Sequence, residues 1–361
     1  MIEQLPNEWQ DKLASLGFIE ITPIQNELFT PLSAGENILG ISPTGTGKTL
    51  AYMWPLLLKL TPKKAQQLLI LAPNSELAGQ LFDVAKTWAE PIGLTPQLLL
   101  SGSSQKRQIE RLKKGPEIII GTPGRVFELI KLKKIKMMNV NTIVLDEYDE
   151  LLSDSQIQFV TKISNHVPRD HQMVYLSATQ KISNDSLAEN TKVIDLSKQE
   201  NTSIEHYYIR VEKRDRLDLL RRLSNIPDFR GLAFFNNLSD LGAVEERLQF
   251  NGTSAVSLAS DVNVKMRKVI LEKFKNHELS LLLATDLVAR GIDIDNLETV
   301  INFDIPRDRE IYTHRVGRTG RMGKKGQVIS LVTHKEDLKK LKKMACVQEL
   351  QLKHQSLTLK K

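Results

Sequence analysis

The segment SPTGTGKT, Ser42 to Thr49, has the residue types and spacing of a phosphate cradle. Glycines at 45 and 47 let backbone N–H groups curl around phosphate oxygens, with Thr44 and Thr46 between them. Lys48 supplies a positive charge, and Thr49 offers a hydroxyl to a divalent cation such as Mg²⁺. Ser42 stands where the strict GxxxxGKT pattern has its first glycine, so the chemistry matches better than the letters do. Downstream, Asp146 and Glu147 close the apolar run NTIVLDE. A carboxylate at a strand end can hold Mg²⁺ while its neighbour orients or deprotonates the attacking water. An idle glycine turn and an ordinary surface acidic pair are the plain alternatives. They leave unexplained why one sits between a strand-like run and a helix-like run and the other ends a strand-like run.

A second group of candidates lies in YTHRVGRTGRMG, Tyr312 to Gly323, where Arg315, Arg318 and Arg321 recur every third residue. A basic surface loop is the bland reading. The spacing instead predicts guanidiniums presented along one face, where charge building up on a transferred phosphoryl group needs them.

Short apolar runs alternate with helix-length amphipathic stretches and must position these groups. ENILGIS, QLLILAP, QLLLSG, EIIIGTP, NTIVLDE and MVYLSAT form a first series, and HYYIRV, GLAFFNN, TSAVSLA, LSLLLATD, TVINFDIP and GQVISLVT a second. Buried parallel strands with helical crossovers are expected in both. The polar stretch 197–205 interrupts the pattern and is read as the linker, with one domain over 1–200 and another over 206–361. The closing run LKKLKKMACVQELQLKH is expected to form an amphipathic helix with either a solvated lysine face or an added RNA contact.

At 361 residues the chain is long enough for two domains, and its 41% hydrophobic and 26% charged residues are those of a globular protein rather than a disordered one. Fifty Lys and Arg against 43 Asp and Glu suit a polyanionic partner without requiring one. The sole cysteine, Cys346, excludes an internal disulfide or a cysteine-built zinc site and fits a reducing cytoplasm. No run approaches membrane-spanning length, and the first residues lack a secretory pattern, so neither membrane insertion nor secretion is expected.

In order and spacing, these words resemble the DEAD-box family of superfamily 2 RNA helicases over nearly the whole chain. GFIEITPIQ (Gly17–Gln25), TPGR (Thr122–Arg125), SAT (Ser177–Thr179), ATDLVARGID (Ala284–Asp293) and HRVGRTGR (His314–Arg321) are further matches. The resemblance implies two tandem RecA-like α/β domains, each a mostly parallel sheet with helices on both faces, and an RNA-dependent ATPase acting in the cleft between them. By resemblance, Gln25 reads adenine, Phe18 stacks on it and Asp293 lies near the ribose. Lys48, Thr49, Asp146 and Glu147 serve the phosphates, the metal and the water, while Arg318 and Arg321 act as arginine fingers. Asp149, Ser177, Thr179 and His314 report the nucleotide state. RNA, held through phosphates and 2′-hydroxyls largely without regard to sequence, is assigned to Pro73, Asn74, Ser75, Gly102, Ser103, Thr122, Gly124, Arg125, Phe235, Asn236, Arg267 and Thr285. The family's settings make ribosomal or other ribonucleoprotein partners an expectation, for a chain acting as a monomer.

Several positions depart from the family pattern. Tyr148 replaces an alanine, giving DEYD and an expected ring near Asp149; PTREL reads PNSEL, losing a cation; Gly102 is followed by Ser103; and Val264 stands where a glutamine is usual. These departures motivate a second reading, an ATP-gated RNA clamp or annealing module with low turnover. A DNA helicase of the same superfamily is a third, separated from the others by dependence on the 2′-hydroxyl.

Overall fold

The computed structural model describes residues 2–16, 20–43, 45–152, 154–178, 187–197, 204–258, 264–286, 297–320, 325–353 and 356–360. Phe18, Thr44, Thr179, Asp293, Arg321 and most of the segment 197–205 lie outside them. The chain forms two compact units, Met1–Gln199 and Glu200–Lys361.

Unit 1 contains a seven-stranded sheet built from β1 (Ile38–Ile41), β2 (Leu68–Leu71), β3 (Pro96–Leu99), β4 (Ile118–Gly121), β5 (Thr142–Leu145), β6 (Gln172–Ser177) and β7 (Lys192–Asp195). Its order is β3-β4-β2-β5-β6-β1-β7, with every pair parallel. Successive side chains on a strand point to opposite faces, so runs such as Leu68–Leu71 must be apolar throughout when both faces are covered. Accordingly, Leu68 and Ile70 enter one core and Leu69 and Leu71 the other.

The first core packs beneath α1 (Asn7–Ser15), α2 (Pro23–Ala34), α3 (Lys48–Leu58) and α4 (Ser75–Ala89). Trp88 receives Trp9 and Trp54 edge-on at 5.7 and 5.3 Å, and the Trp9 indole N–H donates to the Trp88 carbonyl at 2.8 Å. Burying three indoles and satisfying one of their donors clamps α1 to the domain. The short α5 (Gln105–Leu112) follows β3. On the second face lie α6 (Pro123–Lys131), α7 (Tyr148–Leu151) and α8 (Asp154–Ser164).

Unit 2 repeats the plan. Its strands are β8 (Ile204–Arg210), β9 (Gly231–Phe235), β10 (Ala255–Leu258), β11 (Leu281–Thr285), β12 (Thr299–Asn302), β13 (Gly326–Val332), β14 (Gln348–Lys353) and β15 (Ser356–Leu359), in the order β10-β11-β9-β12-β13-β8-β14-β15. Helices α9 (Arg216–Ser224), α10 (Leu238–Phe250), α11 (Val264–Lys275), α12 (Arg309–Val316) and α13 (Lys335–Met344) accompany it, with a core on each face.

The closing segment corrects the expectation of one long amphipathic helix. Helix α13 buries Leu338 and Leu341, shows its lysines to solvent and stops at Met344. From Gln348 the pattern QELQLK changes to period two. β14 then joins β8 in parallel and turns back as β15 in an antiparallel hairpin. Leu350 enters the core, and Glu349 accepts from Tyr208 Oη and Lys360 Nζ, each at 2.8 Å. Among the described residues, no helix is long and apolar enough to cross a membrane.

Candidate functional site

Every site word of unit 1 among the described residues, Gln25 excepted, begins at or just beyond the carboxyl end of a parallel strand. Such a sheet gathers ligand-binding loops along that edge. The strand order then divides them. β5, β6 and β1 are neighbours and carry Asp146 and Glu147, Ser177, and the phosphate loop; β3, β4 and β2 are neighbours and carry Gly102 and Ser103, Thr122 to Arg125, and Pro73 to Ser75.

The phosphate loop joins β1 to the N-terminus of α3. Gly45 and Gly47 take φ values of +84° and +89°, a region costly for any residue with a Cβ. At Gly47 a Cβ would also come within 2.6 Å of the Gln25 amide nitrogen. The loop closes on itself: Ser42 and Thr46 hydroxyls meet at 2.8 Å, Thr46 donates to the Pro43 carbonyl at 2.8 Å, and the Ser42 N–H donates to the Ser177 carbonyl at 3.1 Å. Lys48 Nζ donates to the carbonyls of Ser42 and Pro43, the latter at 3.1 Å. A phosphate would take over contacts the loop now makes to its own lysine. Thr49, partly exposed, follows Lys48 at the start of α3.

Gln25 is buried, and its amide is engaged at both ends. Its oxygen accepts from the Thr22 N–H at 2.9 Å, capping α2, and its nitrogen lies 3.4 Å from the Gly47 carbonyl. The glutamine expected to read adenine is thus built against the phosphate loop.

Asp146 is 4% exposed and lies at the end of β5. Its Oδ1 accepts from the Glu147 N–H at 3.0 Å and its Oδ2 from Tyr52 Oη at 3.0 Å. Burial, followed by the negative charge of Glu147, pushes its carboxyl pKa up to about 6; Lys48 and the two hydrogen bonds pull the other way. Burial beside Asp146 raises the Tyr52 hydroxyl well above its ordinary value, so Tyr52 stays a donor. Glu147 sits at φ +49°, ψ +54°, a left-handed conformation costing a non-glycine residue about 1–3 kcal/mol, of the kind that gathers at functional sites. Its Oε2 is buried and has no hydrogen-bond partner among the described residues. A carboxylate pair of one buried and one half-buried residue, with one oxygen unsatisfied among the described residues and a lysine nearby, has the chemistry to receive a hydrated divalent cation.

Tyr148, whose ring was expected near Asp149, packs into the core. The side chain is 1% exposed and packs on Tyr175 at 4.7 Å, inside the second core of unit 1. At the start of α7 its side chain joins the core that covers this face of the sheet. Asp149, on the same turn, is partly buried, and Ser177 is fully buried at the end of β6.

On the other half of the edge, Asn74 caps α4, its Oδ1 accepting from the N–H groups of Glu76 and Leu77 at 3.1 and 2.9 Å. The PNSEL departure therefore installs a strong N-cap. Pro73 is buried, and its carbonyl accepts from Gln156 Nε2 at 2.6 Å. Ser75, Gly102 and Ser103 are exposed, with Gly102 at φ +79°, while Thr122 and Gly124 are half-buried at the start of α6.

Arg125 is 6% exposed and turns inward, Nε donating to Gln108 Oε1 at 3.1 Å and NH1 to Glu128 at 2.6 Å. Gln108 also donates to the Leu100 carbonyl at 2.9 Å, so one amide joins the loop holding Gly102 to the turn holding Thr122.

In unit 2, Arg315 corrects the expectation of three arginines along one face. It is wholly buried. Nε and NH2 grip Asp286 at 2.6 and 2.8 Å, NH1 donates to Asn302 at 3.2 Å and the Asp304 carbonyl at 2.7 Å, and NH2 also reaches Asn236 at 2.9 Å. One guanidinium thus ties together the ends of β9, β11 and β12. Arg318 and His314, 5% and 7% exposed, flank it in the same chain segment.

Phe235, expected at the RNA, turns its ring inward. Its ring stacks on Phe303 at 4.5 Å in the core. Thr285 is buried as well, whereas Asn236 and Arg267 are half-buried. Sequence reasoning missed Tyr52, Gln108, Asn302, Asp286 and Asp304. Tyr52 lies one turn after Lys48 on a helix that starts at the phosphate loop, a spacing that could have marked it.

Residues 22–186 match the family model described as DEAD/DEAH box helicase, and residues 215–323 the helicase conserved C-terminal domain. The chain is 39% identical to the DEAD-box ATP-dependent RNA helicase CshC of Bacillus cereus, covering 94% of this chain and 89% of that protein. It is 42% identical to the probable ATP-dependent RNA helicase YfmL of Bacillus subtilis, over 93% and 91%. Among solved structures, S. cerevisiae Dbp5 bound to RNA and ADP BeF3 is similar with a TM-score of 0.82 and 25% identity, covering 96% of this chain and 94% of that one. A DEAD box protein from Methanococcus jannaschii gives 0.60 and 30%, covering 96% and 98%. With the phosphate loop, the adjacent carboxylates Asp146 and Glu147 and the arginine segment in place, the chain belongs to the DEAD-box family of ATP-dependent RNA helicases.

Proposed function

We propose that this protein uses ATP hydrolysis to bend RNA and separate short RNA duplexes, or to remodel ribonucleoprotein, holding RNA by its sugar–phosphate backbone. The observation that carries the reading is the divided edge of unit 1. The residues we assign to the nucleotide stand at the ends of β1, β5 and β6, and those we assign to RNA at the ends of β2, β3 and β4, on one sheet.

Lys48 and the loop N–H groups take the phosphates, Gln25 and Phe18 the adenine, and Asp293 the ribose. Glu147 positions the attacking water, and Arg318 and Arg321 neutralise charge on the γ-phosphate. Thr49 and Asp146 would hold Mg²⁺, which when bound draws charge from the phosphate oxygens; the unsatisfied Glu147 Oε2 and the buried Asp146 fit such an ion. Asp149, Ser177, Thr179 and His314 pass the nucleotide state on to the RNA-holding groups. RNA is held by Asn74, Ser75, Gly102, Ser103, Thr122, Gly124, Asn236 and Arg267, with Pro73, Phe235 and Thr285 offering backbone and Arg125 acting from beneath. A monomer working in the cytoplasm on ribosomal or other ribonucleoprotein suits this set.

Phosphate release should rise on adding RNA and vanish in Lys48→Ala. ATPase activity indifferent to both would overturn the proposal. RNA retention that needs ATP and persists without turnover in the unsubstituted protein would replace it with the clamp.

A further inference from the structure

We propose that unit 1 carries a second stretch of RNA-binding surface, an aromatic and lysine platform across α6 and α8 that takes the bases of single-stranded RNA leaving the backbone-holding groups. It rests on the helicase reading above and extends it.

Both helices start at the RNA words and run away from them. On α6, Gly124, Phe127 and Lys131 follow one another at three- and four-residue steps and so share one face. On α8 and just after it, Gln156, Phe159, Lys162 and His166 do the same. Gln156 is anchored on the Pro73 carbonyl at 2.6 Å, and the ring of Phe159 lies 3.9 Å from where a side chain at Gly124 would begin. From those contacts, α6 carries the surface about 10 Å further, at 1.5 Å per residue, to Lys131.

Phe127 meets Phe159 at 6.0 Å and His166 at 6.1 Å. Lys162 lies 5.7 and 6.0 Å from the Phe127 and Phe159 ring centres, and Lys131 lies 5.9 Å from Phe127. The rings are half-buried, and both lysines and His166 are exposed.

Charge decides between RNA and an apolar protein partner. Neither Lys131 nor Lys162 has an acidic partner among the described residues, and Lys133, Lys134 and Lys136 follow, all exposed. The carboxylate of Glu128 on α6 is held by Arg125 and Gln105, each at 2.6 Å. Half-exposed rings beneath uncompensated ammonium groups suit unstacked bases with phosphates alongside, a combination that tolerates any sequence.

The test measures affinity, in the presence of a non-hydrolysable ATP analogue, for single-stranded RNAs lengthened one nucleotide at a time, using the full chain and its K131A/K162A variant. Both substitutions are at exposed positions and leave the fold alone. We expect equal affinity for the shortest RNAs that bind. For longer ones the variant should lose the further gain that the full chain shows, and its log–log salt slope should flatten by about 1.4, roughly 0.7 per lost phosphate contact. Phe159→Leu should lose part of the same gain with its salt slope unchanged. Curves that superimpose at every length, or that differ equally at every length, overturn the platform. If the unsubstituted chain binds no RNA of any length, it is the helicase reading that fails.

Discussion

The hydroxyl of Tyr52 donates to Asp146 Oδ2 across 3.0 Å inside the protein, joining the helix that starts at the phosphate loop to the strand that ends in the acidic pair. The groups proposed to bind phosphate and metal are thereby held in one register. Tyr52→Phe removes that bond to a buried carboxylate. It should lower stability by about 1–3 kcal/mol and kcat/KM by about tenfold, read by thermal unfolding and ATPase assays. Loss of stability with unchanged Mg²⁺ dependence would reduce Tyr52 to a packing residue.

Asp146 gives the metal-free protein a specific pH dependence. Burial raises its folded pKa from 3.8 to about 6, so the folded state holds a proton that the unfolded chain has already released. Its contribution is fully present below about pH 4 and is lost as pH rises through about 6. Asp146→Asn keeps an acceptor for Tyr52 and carries no charge. In chelator, its stability relative to the unsubstituted chain should therefore rise between pH 4 and 6 by about 1–3 kcal/mol and then level off, because each pH unit between the unfolded and folded pKa is worth about 1.4 kcal/mol. A difference independent of pH would contradict the raised carboxyl.

Glu147→Gln should keep the fold and ATP-dependent RNA binding while lowering turnover by about 100-fold or more, the usual weight of a positioned base. Single-turnover phosphate release separates this from a binding defect.

Restoring the family's alanine with Tyr148→Ala should not create a better enzyme. The ring lies against Tyr175 in the core, and its removal leaves a cavity costing about 3–5 kcal/mol. A lower melting temperature with ATPase activity preserved at low temperature is the expected pair of results.

Arg315→Lys keeps the positive charge but loses the two-pronged grip on Asp286 and the bonds to Asn236 and Asn302. Breaking a buried pair of this kind costs about 3–5 kcal/mol. Calorimetry of the full chain should show an early unfolding step, with ATP binding at lower temperature retained. Normal stability with lost RNA-stimulated turnover would return Arg315 to the exposed face on which its spacing had placed it.

By itself the sequence determined which residues could do chemistry and that each lies where an apolar run ends, because a strand covered on both faces has to be apolar throughout. It also determined the family, since so many words recur in order. It could not determine which strands are neighbours. Parallel strands are joined through helices, so chain order leaves lateral order open, and only the packed sheet set β5, β6 and β1 side by side and separated the phosphate loop from Thr122 and Asn74. Nor could it determine where side chains point. Regular spacing suggested that Arg315, Arg318 and Arg321 share a face, but Asp286, Asn236 and Asn302 come from distant segments and draw Arg315 inside. Tyr148 is likewise turned inward by a partner, Tyr175, that only the fold brings to it.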